Sequence, residues 1–314
     1  MDFRLKPHIY FNSYMDSADE WRQALASQFD EFKFSVGDDV DDPDSVDVAL
    51  VWTLPDRGLE RFVNLRAILS LGAGINQLDL ERLPKHVPLA RLVDASLTRT
   101  MVDYAKTAVY RYHRRFHLFE RQSRERNWTY IPPTLTAGTS VGVLGLGEIG
   151  REISFALRRE GFNVRGWSRS PKELDNVETY TGRYGLTSMV GRCAIVINVL
   201  PLTGETRHIL CRELFAHFSN GTCLINMGRG MHLVEADLLD AIDMGKVDDA
   251  TLDVASVEPL PDSHPFWNHP NILITPHVAG ASNPMTAVTN VAANIRKALA
   301  GERLSQQLDV DRGY

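Results

Sequence analysis

The chain has 314 residues, 44% of them hydrophobic and 24% charged, enough for two globular domains with substantial cores. A formal net charge of −6 speaks against broad electrostatic attraction to nucleic acid or to an anionic membrane. No run approaches the ~20 apolar residues that span a bilayer, Met1–Lys6 lacks the apolar core of a signal peptide, and Cys193, Cys211 and Cys223 form no C-x-x-C pair, so a cytoplasmic protein with reduced thiols is expected.

Strand-like runs in the first hundred residues cover His8–Asn12, Lys33–Val36, Val46–Trp52, Leu65–Leu71 and Leu89–Val93, with helical stretches such as Ser17–Phe29 between them. Strands alternating with helices predict a parallel sheet. A long helical stretch follows from about Thr98 to Arg126, then a loop over Asn127–Gly138. Further strands are expected at Ser140–Leu146, Asn163–Ser168, Cys193–Leu200, Thr222–Met227, Ala250–Val254 and Ile272–Thr275. Helices such as Glu235–Met244 alternate with these too, which predicts a second doubly wound sheet. The last helix, Pro284–Ala300, lies beyond the final strand, and its return to the first domain would make that domain discontinuous. The expected division is 1–98 with 285–314, and 99–284.

The second domain opens on Gly145-x-Gly147-x-x-Gly150, between the apolar run Ser140–Leu146 and the helically periodic Glu148–Glu160. In that context Gly145 permits a tight turn, Gly147 lets backbone approach a pyrophosphate and Gly150 lets strand and helix pack closely. Glu148 and Ile149 then open a helix whose N-terminus favours the phosphates. A dinucleotide is therefore expected, and the end of the next strand selects which one. An enzyme for NAD places a carboxylate there to hold the ribose hydroxyls. This chain has Ser168, Arg169 and Ser170, with Lys172 close by, a set that would hold a 2′-phosphate by charge-assisted hydrogen bonds. NADP(H) is the expected cofactor, with NAD(H) possible, since Arg169 can also be read as a solvated loop residue.

In doubly wound sheets ligands bind beyond the carboxyl ends of the strands. Polar residues at such positions are Gly72-Ala73-Gly74, Pro201-Leu-Thr203, Arg229, Glu258 and His277. Arg229 stands in Asn226-Met-Gly-Arg-Gly230, Glu258 in Asp253-Val-Ala-Ser-Val-Glu-Pro259, and His277 in Thr275-Pro-His-Val-Ala-Gly280. A guanidinium fork matches a carboxylate in two places. An imidazole beside a carboxylate suits general acid–base work. His113 and His117 are four apart on one helix, but no acidic ligands accompany them and no metal site is expected.

With these residues the chain resembles the D-isomer-specific 2-hydroxyacid dehydrogenase family over essentially its full length. Ser70-Leu-Gly-Ala-Gly74, Trp167-Ser-Arg-Ser170, Thr275-Pro-His277 and Asp309-Val-Asp-Arg-Gly-Tyr314 look most like its glyoxylate/hydroxypyruvate reductase A branch. The resemblance implies an α/β protein of two doubly wound parallel-sheet domains: a Rossmann cofactor domain and a discontinuous flavodoxin-like substrate domain. It implies NADPH-dependent reduction of small 2-oxo acids, with Arg229 on the substrate carboxylate, His277 as proton donor and Glu258 as its partner. It also implies that the Gly72, Ala73 and Gly74 loop contacts that carboxylate, although a plain turn reads as well there. Trp52 would narrow the substrate pocket or belong to the core. Met101, Leu200, Pro201, Thr203, Met227, Gly228, Asp253, Ala279 and Gly280 would border the cofactor, and family members are usually homodimers.

Three departures from the family pattern stand out: Gly228 where alanine is common, Ala255 where an aromatic is common, and Asp103 in place of glutamate. Two other readings stay open. One is an NADH-preferring 2-hydroxyacid dehydrogenase of another substrate; the other is a dinucleotide-sensing interaction protein built on the same fold. Formate dehydrogenases fit less well, because they use glutamine where Glu258 stands.

Overall fold

A computed structural model describes residues 6–308 apart from 39, 73, 76–77, 93–94 and 281. The chain forms two compact units, Met1–Leu97 with Ser282–Tyr314, and Thr98–Ala281. The Leu89–Val93 run ends in the undescribed residues, and so do Ala73 and the Asp309–Tyr314 motif.

The first unit contains β1 (His8–Asn12), α1 (Ala18–Ala26), β2 (Lys33–Val36), β3 (Val48–Val51), β4 (Ala67–Ser70) and β5 (Leu89–Ala90). All pairings are parallel, in the order β2-β1-β3-β4-β5, the flavodoxin-like order. Side chains alternate across a strand, so each strand serves two cores. Ile9, Phe11, Val48 and Leu50 face one core with Trp21 and Leu25 of α1, while Tyr10, Ala49 and Val51 face the other with Leu59 and Phe62. Burial on both faces explains why β1, β3 and β4 read as unbroken apolar runs.

The chain passes through α2 (Ala95–His113) and α3 (Phe116–Glu125) to β6 (Ser140–Leu144), α4 (Glu148–Arg159), β7 (Asn163–Ser168), β8 (Glu178–Thr181) and α5 (Gly182–Val190). It continues through β9 (Ile195–Asn198), α6 (Arg212–Phe215), β10 (Thr222–Asn226), α7 (Glu235–Asp243), β11 (Val247–Leu252) and β12 (Ile272–Ile274). These seven strands are all parallel, in the order β12-β11-β10-β9-β6-β7-β8. Counted from β6, that is the dinucleotide-binding order 3-2-1-4-5-6 with a seventh strand added, and its direction reverses between β6 and β9.

α8 (Pro284–Ala300) follows. Its start is set by Asn283, whose side chain accepts the Met285 N–H, and by Pro284; its end is set by Gly301 in the left-handed conformation. Ala287, Val288, Val291, Ala292 and Ile295 share the core of Ile9, Phe11 and Trp21, so the C-terminal helix completes the first unit.

The single long helix expected from Thr98 to Arg126 is instead two helices. Arg115 breaks it with φ 62°. The break allows both neighbouring histidines to be buried, His113 with Nδ1 2.9 Å from Thr139 Oγ1 and His117 with Nε2 3.1 Å from Asp248 Oδ2.

Candidate active site

The glycine loop lies at the switch point. Gly145 has φ 103°, and a Cβ there would stand 3.1 Å from the Val199 carbonyl, so the loop after β6 lies directly against the chain leaving β9. At Gly150 a Cβ would stand 1.7 Å from the Gly145 carbonyl oxygen, a contact that forbids any side chain there. At Gly147 it would meet no atom within 4 Å and would fill open space. Gly147 caps α4 with no side-chain cap bond, and both Gly147 and Glu148 are exposed while Ile149 is half-buried. A helix N-terminus with accessible backbone and space above its glycine fits a pyrophosphate.

At the end of β7, Ser168 is buried and its hydroxyl donates to the Ser170 carbonyl at 2.7 Å, while Thr181 Oγ1 donates to the Arg169 carbonyl at 2.8 Å. These bonds hold the turn and leave the Arg169, Ser170 and Lys172 side chains exposed. Glu205, a residue the sequence reading did not single out, places Oε2 3.6 Å from Arg169 Nη1; both side chains are about three-quarters exposed.

Arg229, Glu258 and His277 follow β10, β11 and β12, which are neighbours in the sheet. His277 Nδ1 lies 2.7 Å from Glu258 Oε2, and Glu258 Oε1 accepts the Ala255 N–H at 3.0 Å. Burial alone would raise the Glu258 carboxyl. The hydrogen bond and charge of His277, the Ala255 N–H and the Arg229 charge together outweigh burial and hold it below its usual range. Burial also weighs against the Arg229 charge, and Glu258 favours it. A hydrogen-bonded imidazole–carboxylate pair and a guanidinium thus act on one another at adjoining strand ends.

His277 sits at φ 55°, a conformation that costs a non-glycine residue roughly 1–2 kcal/mol. Asp253 stabilises it. The Asp253 carbonyl accepts the His277 N–H at 2.8 Å; its carboxylate, 2% exposed, accepts Val278 N–H and Ala279 N–H, each at 2.9 Å, and the Thr275 hydroxyl at 2.6 Å. Tyr104 Oη lies 2.7 Å from Thr275 Oγ1 and extends the chain into α2. Burial raises the Asp253 carboxyl, and these donors oppose that shift. The residue expected to touch the cofactor therefore also shapes the loop that carries the imidazole.

Behind Arg229 lies a polar cluster that sequence reasoning missed. Asn198, Asn226 and His232 are each 0% exposed. Asn198 Nδ2 lies 2.9 Å from both Asn226 Oδ1 and His232 Nδ1, and His232 Nε2 lies 3.2 Å from the Pro201 carbonyl. A Cβ at Gly228 would stand 2.9 Å from Asn198 Nδ2 and 3.0 Å from His232 Nδ1, so this cluster accounts for the glycine there. The only trace in the sequence is the three-residue spacing from Arg229 to His232, which is that of a capping box.

Leu200, Met227, Gly228 and Ala279 are buried, Met101, Thr203 and Gly280 half-buried and Pro201 exposed. In the first unit, Trp52 directly follows β3 and packs partly against the core of Ile9 and Phe11. Gly72 N–H donates to Ser70 Oγ at 3.2 Å, so this N–H of the loop expected to contact the substrate carboxylate is already engaged within the loop; Gly74 is half-buried, and Ala73 lies outside the described residues. His264 caps a short 3₁₀ helix by accepting the Phe266 N–H, and its Nε2 lies 3.1 Å from Glu235. Asp103 is exposed, and nothing in the structure explains its replacement of glutamate. His117, Cys223 and Asp248 bring potential metal ligands within 4.8 Å of one another, and the Asp248 carboxylate is shared by His117 Nε2 and the Arg121 guanidinium.

Residues 107–279 match the family described as "D-isomer specific 2-hydroxyacid dehydrogenase, NAD binding domain". The chain is 39% identical over 313 residues to glyoxylate/hydroxypyruvate reductase A of Serratia proteamaculans, covering 98% of each. Among solved structures it is similar to a D-isomer specific 2-hydroxyacid dehydrogenase from Xanthobacter autotrophicus Py2 in complex with NADPH and MES. That likeness has a TM-score of 0.88 and 39% identity, over 99% of this chain and all of the other. It is also similar to the NADPH-dependent glyoxylate/hydroxypyruvate reductase of Sinorhizobium meliloti in complex with NADP and sulfate, with a TM-score of 0.87 and 33% identity over 99% and 100% of the two chains.

Proposed function

The chain belongs to the D-isomer specific 2-hydroxyacid dehydrogenase family, and on that premise we propose that it reduces small 2-oxo acids with NADPH, glyoxylate to glycolate and hydroxypyruvate to glycerate. The observation that carries this reading is the 2.7 Å His277–Glu258 pair in electrostatic contact with Arg229 at adjoining strand ends. When bound, the dihydronicotinamide supplies hydride to the carbonyl carbon. Arg229 pairs with the substrate carboxylate and polarises the carbonyl. Glu258 accepts a hydrogen bond from the Nδ1–H of His277, which orients the ring so that Nε2–H delivers its proton to the forming alkoxide. The cofactor is assigned to the second unit, with its phosphates over Gly147–Gly150 and its 2′-phosphate on Ser168, Arg169, Ser170 and Lys172. Trp52 and the loop at Gly72, Ala73 and Gly74 are assigned to substrate selection.

The test is a cofactor and substrate panel. Purified protein is expected to oxidise NADPH when given glyoxylate or hydroxypyruvate. Arg169→Asp is expected to lower kcat/KM for NADPH roughly 10²-fold, through lost charge-assisted bonds and a new repulsion, with NADH little affected. A wild-type preference for NADH would favour the NADH-dependent alternative. No turnover of any 2-oxo acid, with cofactor-dependent partner binding, would favour a sensor.

The functional form is assigned as a cytoplasmic homodimer. Among the described residues no helix is long and apolar enough to cross a membrane, and all three cysteines are unpaired. Trp128, Tyr130 and Leu135 stand 101%, 80% and 82% exposed in the segment after α3, and Phe116 and Phe119 of α3 are exposed as well, apolar side chains that a second copy would cover. Light scattering is expected to give a dimer mass for the wild type and a monomer for Trp128→Ser/Tyr130→Ser. A monomeric wild type would sink this assignment.

A further inference from the structure

His232 presents its two ring nitrogens to two different loops. Nδ1 lies 3.1 Å from the Arg229 backbone nitrogen and 2.9 Å from Asn198 Nδ2. Both are donors, so Nδ1 must carry a lone pair. Nε2 then carries the proton and donates it to the Pro201 carbonyl at 3.2 Å, an oxygen that also accepts the Thr206 hydroxyl at 2.7 Å. One form of the ring, neutral and protonated on Nε2, satisfies all three contacts.

We infer that His232 is a positioning residue that ties the Arg229 loop to the Pro201 loop and so holds the substrate-carboxylate site and the cofactor bed in one register. The inference rests on the role proposed above for Arg229 and on the expectation that Pro201 borders the cofactor. The two loops leave β10 and β9, neighbouring strands with no covalent reason to move together. Asn198, at the end of β9, bonds to both Asn226 and His232 and completes the tie. Burial, with the Arg229 charge adding to it, lowers the imidazole to about 4, so the ring keeps this form at neutral pH. A fully buried ring also has no solvent to replace a lost partner, which makes each contact costly to remove.

Two variants separate the arms. In His232→Asn the shorter amide overlays the Nδ1 edge; it keeps an acceptor for the Arg229 N–H and loses reach to Pro201. In His232→Gln the longer amide reaches the Nε2 position and keeps the Pro201 bond. The asparagine variant is expected to raise the NADPH Kd, read by cofactor fluorescence, about tenfold, with the glyoxylate KM little changed. The glutamine variant is expected to show the reverse, each effect being about one buried hydrogen bond. Parallel changes in both constants, or none in either, would mean that His232 only fills space.

Nitrogen-15 spectra of the wild-type imidazole give a reading that needs no variant to fold. A neutral Nε2–H ring from pH 6 to 8 is expected, and an Nδ1–H ring or an imidazolium overturns the inference. A wild-type protein inactive on 2-oxo acids would instead remove the functional reading, while the NADPH and tautomer measurements still decide the tie between the loops.

Discussion

Replacing His277 with alanine is expected to lower kcat for glyoxylate reduction roughly 10²–10⁴-fold, the range over which a positioned general acid acts, while NADPH binding persists. The two quantities separate because the role proposed for the imidazole is proton transfer, whereas the glycine loop that would carry the phosphates lies after β6, elsewhere in the sheet. Alanine fits poorly at φ 55°, so His277→Asn is the better control for the backbone, as asparagine tolerates this conformation. Both variants are expected to lose turnover alike. Activity of either close to that of the wild type would remove His277 from the chemistry.

Arg229→Lys is expected to cost about 3 kcal/mol of transition-state stabilisation, or roughly 10²-fold in kcat/KM, although the positive charge is retained. Lysine offers a single ammonium where the guanidinium offers a planar fork, and it cannot bridge a carboxylate while also bonding the Gly228 carbonyl, as Arg229 Nη1 does at 2.7 Å. Because the Arg229 backbone is held by His232 and Asn226, the loop is expected to stay folded in this variant. The loss is then attributable to the side chain. Steady-state kinetics with unchanged kcat and KM for glyoxylate would separate Arg229 from substrate binding.

Much of the fold is legible in the chain because parallel strands buried on both faces carry continuous apolar runs, and the helices between them carry local stop and start signals. His8–Asn12 and Asn163–Ser168 are strands with the expected bounds, and Pro284–Ala300 is the expected helix. β8 and α5 carry little local signal in the sequence. β8 is a half-exposed edge strand without alternation, and α5 (GRYGLTSMV) contains two glycines and is held by Leu186, Met189 and Val190 in the core. The break at Arg115 leaves no local mark either, since the helical pattern runs through it; His113 and His117 find their partners, Thr139 and Asp248, only in the folded chain.

Residues whose chemistry depends on spacing along the chain could be read directly: the Gly145, Gly147 and Gly150 turn, the absence of a carboxylate at Ser168–Ser170, and the segments around Arg229, Glu258 and His277. Their conformational demands act within a few residues, and so they are written locally. The tertiary structure alone decided what holds them. Asp253 reaches across from β11 to shape the His277 loop, His232 joins loops some thirty residues apart, and Glu205 comes up beside Arg169 from the far side of the switch point. Hydrogen bonds and ion pairs between distant segments depend on which strand ends adjoin, and sheet order is a property of the packed core that no short window of sequence contains.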